Sequence, residues 1–151
     1  MCFVLYVGTT TPIARKEWRN EAPGISVESL SEREEPIRKH FSKPEVQYVG
    51  STSGCGCDFG SVMFQNGGWP WWDDGEVDPG QERREQQSRQ GLVAQLRATG
   101  EEIIELYGIW DGDFDFNTPP QIREEVTLDS LLDRDFRFKE QGFYAVRINS
   151  Q

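Results

Sequence analysis

Apolar positions in this chain come in short blocks whose spacing changes along the sequence. Residues 2–8, CFVLYVG, are β-branched or aromatic with no breaker, which predicts a strand buried on both faces. In ISVESL at 25–30, Ile25 and Val27 alternate with polar neighbours, as in a half-buried strand. EVQYVGS at 45–51 and EEIIELYGIW at 101–110 predict two strong strands, the second of them central, and REEVTL at 123–128 predicts a shorter one. RFKEQGFYAVRI at 137–148 reads as a closing hairpin turning near Gly142, with Tyr144, Val146 and Ile148 on one face.

Helical spacing is found in fewer places. Ile13 and Trp18 suggest a helical turn that Pro23 and Gly24 stop. Ser31 followed by Glu34 has the form of a capping box opening a helix, with Pro36 tolerated near the first turn and Ile37 and Phe41 on its inner face. Asp78 before Pro79 starts a longer helix that runs to a glycine cap at Gly100. Leu92, Val93 and Leu96 give this helix a core face only in its second half, so the first half is expected to project. Asp129 is placed to cap a single turn through Leu131 and Leu132.

Six or seven strands with two main helices predict an α+β fold, a mixed or mainly antiparallel sheet with helices on one side. A doubly wound α/β fold is the alternative, weakened because helices and strands do not alternate regularly. At 151 residues the chain is read as a single domain, 1–151, with a loosely structured loop at about 53–80 that is rich in glycine and tryptophan.

Composition then narrows the partners. With 26 acidic against 16 basic residues the formal charge is −10, which repels phosphate backbones and anionic lipid, so neither nucleic acid nor a membrane is the expected partner. A basic protein, a cation or a neutral ligand fits that field. Cys2 to Val7 is too short to span a bilayer and has no basic region before it. Together with the odd count of three cysteines, this points to a cytoplasmic, reducing compartment and away from a structural disulfide.

Two of those cysteines lie in GSTSGCGCDFG, residues 50–60. Cys55 and Cys57 flank Gly56, whose backbone freedom lets two sulfurs converge on one side of a loop. Paired thiolates suit zinc or another thiophilic metal such as copper(I), although this spacing is not a standard zinc spacing. If the strand starting at Cys2 runs antiparallel beside the one ending near Ser51, Cys2 arrives at the same edge and three thiols meet. His40 lies at the opposite end of that second strand, about 20 Å away at the usual rise per residue, so a Cys3His site is disfavoured. Asp58, another acidic residue or water would have to supply a fourth ligand. A strained Cys-Gly-Cys disulfide suits labile redox chemistry, and three inert thiols, Cys2 as a small core residue among them, are the plain alternative.

The opening Met-Cys resembles the start of some N-terminal-nucleophile amidohydrolases, which implies a Cys2 thiol served by its own amine. The matching Asn-Gly-Asp oxyanion element is missing. No phosphate loop, dinucleotide fingerprint or nucleophile elbow occurs, and one histidine offers little for a conventional triad, so the motifs point away from an enzyme.

Two other stretches are candidates for recognition. WPWWDD at 69–74 brings Trp69, Trp71 and Trp72 together beside two carboxylates, as a stacking platform, a hot spot for a protein or a lid on the core. DGDFDFN at 111–117 would place Asp111, Asp113, Asp115 and Asn117 on one face of an extended strand, either a cation site or a solvated acidic edge. The leading expectation is therefore a small acidic protein whose aromatic loop and acidic surface bind a protein partner. A metal-binding or thiol-redox centre at Cys55 and Cys57, with Cys2, is the alternative.

Overall fold

The computed structural model describes residues 2–60, 78–111 and 115–148. Its centre is β1 (Cys2–Thr9), whose residues from Phe3 to Thr9 are all buried, as the unbroken apolar run requires. β2 (Ser26–Ser29), β3 (Glu45–Gly50), β4 (Ile103–Asp111), β5 (Ile122–Thr127) and β6 (Gly142–Arg147) complete one six-stranded sheet in the order β2-β3-β1-β4-β6-β5. Every pairing is antiparallel except β5 with β6, so the fold is α+β with a mixed sheet.

Alternate residues of β1 serve two different cores. Phe3, Leu5 and Val7 join Leu92, Val93 and Leu96 of α1 (Pro79–Arg97), while Val4 and Tyr6 join Ile37, Tyr107 and Phe143 on the other face. Helices therefore cover both faces, not one. The segment predicted as a first helix is a 3₁₀ helix, Glu32–His40, opened by the Ser31 N–H donating 3.0 Å to Glu34 Oε1. Pro36 inside it offers no amide for a regular α-helical ladder.

α1 starts as the sequence indicates: the Asp78 side chain accepts from the Gln81 N–H, and Pro79 sits at the first position. Gly100, at φ 70°, turns the chain toward β4. The first half of α1 nonetheless packs. Glu85, Ser88 and Arg89 are buried, and Arg89 donates 2.8 Å to the Phe136 carbonyl. Long polar side chains thus fill an interface that a hydrophobic pattern cannot reveal.

Two local expectations are corrected. No closing hairpin forms: residues 136–138 are not a strand, and β6 takes β4 and β5 as neighbours after a turn at Gln141, φ 56°. Tyr144, Val146 and Ile148 still share one core. The stretch around Lys16 forms an isolated bridge to Val27 instead of a helical turn, covering the outer edge of β2. Among the described residues no helix is long and apolar enough to cross a membrane.

The core around α1 is knit by rings. Phe138 is fully buried and lies against Phe3, Phe59, Phe136 and Tyr144, with centroids 5.0 to 6.3 Å away. Phe138→Ala should cost roughly 3–5 kcal/mol, read as a fall in the urea midpoint at unchanged m. A loss below about 1 kcal/mol would show that this cluster is not the packing centre.

Candidate metal centre

β1 and β3 pair from Leu5↔Val49 to Thr9↔Glu45, which brings Cys2 level with the residues that follow β3. There the chain makes a tight excursion. The Ser51 carbonyl accepts from the Gly54 N–H at 2.9 Å, and the Ser51 N–H donates 2.6 Å to the Cys55 carbonyl. The Tyr48 hydroxyl donates 2.8 Å to the Gly54 carbonyl, and the Trp18 indole N–H donates 2.9 Å to the Thr52 carbonyl.

After this excursion the chain returns to β1, where the Gly56 N–H donates 2.8 Å to the Phe3 carbonyl. A Cβ at position 56 would lie 2.6 Å from that carbonyl oxygen. Glycine between the two cysteines is therefore required by close approach to β1, beyond the flexibility read from the sequence.

The result is a cluster of three free thiols. The sulfurs of Cys2, Cys55 and Cys57 lie within 4.8 Å of one another, with Cys2 exposed and the other two half-buried. The antiparallel geometry anticipated from the sequence brings them together. Tetrahedral zinc, with Zn–S bonds of about 2.3 Å, holds its sulfurs roughly 3.8 Å apart, so closure on an ion needs at most about an ångström of inward movement.

The cluster also polarises its own members. The Cys57 thiol donates to Cys55, the Cys57 N–H lies 3.4 Å from the Cys55 sulfur, and the Ser53 hydroxyl and Cys2 thiol add further donors. Led by the Cys57 thiol and opposed by partial burial, these bonds pull Cys55 down to about 5. Cys57 is pushed up, because its proton is held in the bond to Cys55 and the group is half-buried. These donors, most of them neutral, favour the thiolate form of Cys55.

Other predicted ligands are placed elsewhere. Asp58 Oδ2 accepts from Thr52 Oγ1 at 3.3 Å and Oδ1 from Gln81 Nε2 at 3.2 Å, tying the loop to α1. His40 Nε2 donates 2.9 Å to the Phe116 carbonyl and its ring meets Tyr107 edge-on, in the other core. Partial burial keeps His40 below its usual value.

The acidic stretch divides. Asp111 lies directly across the β1–β4 ladder from Cys2, a juxtaposition the sequence reading missed because it needs the register. Asp115 and Asn117 form a turn, not a strand face: the Asn117 backbone and side-chain N–H groups both donate 2.8 Å to Asp115 Oδ1. Asp113, Trp69, Trp71 and Trp72 lie outside the described residues, and with them the aromatic platform. No protein-family model, curated protein or solved structure matches the chain.

Two outcomes follow from the cluster. Iodoacetamide should modify Cys55 fastest, with a rate that rises with pH to a midpoint near 5, followed by peptide mapping. A midpoint at the ordinary thiol value, or faster reaction at Cys57, would contradict this hydrogen-bond assignment. Gly56→Ala should drive residues 55–57 away from Phe3, cost about 1–3 kcal/mol and return the Cys55 midpoint toward that of a free thiol.

Proposed function

We propose that this protein binds one soft or borderline cation, with zinc as the first candidate, through Cys2, Cys55 and Cys57. The observation carrying this reading is the meeting of three free sulfurs within 4.8 Å from two segments far apart in sequence. Thiolates are the ligands such ions prefer, and the hydrogen bonds within the cluster favour the ionised form of Cys55. The exposed Cys2 gives an ion a way in and out and leaves one side open to water or a transferring ligand. This suits reversible loading, as in sensing or transfer of an ion, better than a permanent staple.

Two features separate this from a structural zinc site. The sheet has its own packed cores on both faces, so folding does not have to wait for a metal. Asp58, the nearest carboxylate in sequence, is occupied by Thr52 and Gln81.

Elemental analysis of protein purified reduced and under nitrogen should find about one zinc or copper per chain, absent from a Cys55→Ser/Cys57→Ser variant. Chelation should remove the ion while far-UV circular dichroism stays unchanged. Apoprotein that takes up neither zinc(II) nor copper(I) when titrated would overturn the reading.

A further inference from the structure

We propose that the three-sulfur site takes a trivalent metalloid, arsenic(III) or antimony(III), as a neutral three-coordinate complex. This rests on the reading of Cys2, Cys55 and Cys57 as an ion site and narrows its ligand class. Three observations carry it: the number of donors, the absence of a fourth among the described residues and the charge the protein already bears.

The donor set is three sulfurs. Among the described residues the group of convergent histidine, cysteine and carboxylate ligands consists of Cys2, Cys55 and Cys57 alone. Asp58 is turned to Thr52 and Gln81, and His40 belongs to the opposite core. A tetrahedral ion would have to recruit water or move a carboxylate. Arsenic(III) asks for three sulfurs in a pyramid and keeps a lone pair at the fourth corner, which the open side at Cys2 accommodates.

Charge separates the ions further. Three thiolates around zinc(II) leave a net −1, and around copper(I) a net −2, in a chain whose formal charge is already −10. Three thiolates around arsenic(III) leave zero. With arsenous acid the exchange balances without redox: three S–H and three As–O bonds break, three As–S bonds form, and three waters leave. From three neutral thiols this exchange leaves no net proton in solution, whereas zinc binding releases protons.

The test is titration of the reduced full chain with arsenite and, separately, with zinc(II). It is followed by sulfur-to-arsenic charge-transfer absorption, intact mass and protection of thiols from iodoacetamide. One arsenic per chain is expected, with all three thiols protected and with affinity flat or falling between about pH 6 and 8, where zinc affinity rises. Cys2→Ser should weaken arsenite binding roughly tenfold or more by removing one of three linked donors. Cys2 is exposed, so this variant keeps the fold, and thiol protection in the wild type needs no variant at all.

Arsenite that engages only Cys55 and Cys57, or that binds as tightly to Cys2→Ser, would overturn the three-coordinate inference. So would zinc held by all three thiols and lost on Asp111→Asn, since a carboxylate would then complete a tetrahedral site. That last result leaves the ion-site reading standing, whereas failure of zinc, copper(I) and arsenite alike would remove both.

Discussion

The hydrogen bond from the Gly56 N–H to the Phe3 carbonyl decides where the chemistry of this protein lies. β1 is buried on both faces and spends its pairing capacity on β3 and β4, so its position is fixed by two cores at once. Beyond Leu5 the β3 partner is gone, because the chain turns at Ser51 into its excursion. A bare Phe3 carbonyl at that point would be left inside a packed region, and an unmade bond there costs about 1–3 kcal/mol. Gly56 satisfies it, and its two neighbours are carried to the start of β1, where Cys2 stands.

The same constraint explains how the loop keeps its shape with little apolar packing of its own before Phe59, which anchors its end in the core. Ser51 is fully buried, and its hydroxyl oxygen accepts from the Ser53 and Asp58 amides. Thr52 reaches the Ser88 hydroxyl, and Asp58 reaches Gln81, so the loop is held against the polar first half of α1. The face of that half carrying Glu85 and Ser88 is buried for this reason. Small hydroxyls and an amide replace the leucines that a hydrophobic pattern would need, and the thiol cluster rests on a hydrogen-bonded base.

Much of this was legible in the sequence because it depends on local spacing. The unbroken run at 2–8 and the strong segments at 45–51 and 101–110 became β1, β3 and β4, three of the four inner strands, with boundaries shifted by a residue or two. The meeting of Cys2 with Cys55 and Cys57 followed from one assumption, that the first and third strands run antiparallel. What escaped was long-range. The parallel β5–β6 pair hid behind an apparent hairpin, since a turn near Gly142 looks the same whether the preceding residues pair or merely pack. Arg89 and Glu85 looked solvent-facing because buried charge is read from partners, which are distant in sequence. Asp111 beside Cys2 needed the register of β1 on β4.

The three thiols are organised by hydrogen bonds among themselves. Three thiolates within 4.8 Å would repel one another strongly, and the protein answers by letting one ionise while the others donate to it. That arrangement is stable only while Cys55 has its donors: the Cys57 amide, fixed by the Gly56 bond, persists whatever binds, but the Cys57 and Cys2 thiol protons must leave when those sulfurs take an ion. In the proposed ion site, an incoming ion would replace two S–H donors with its own charge, at a sulfur whose ionised form those bonds favour and which the backbone orients. On that reading the site would be preorganised at Cys55 and completed at Cys2, the exposed one of the three. Capture should start at the fixed thiolate and finish at the sheet edge, and release should run in the reverse order.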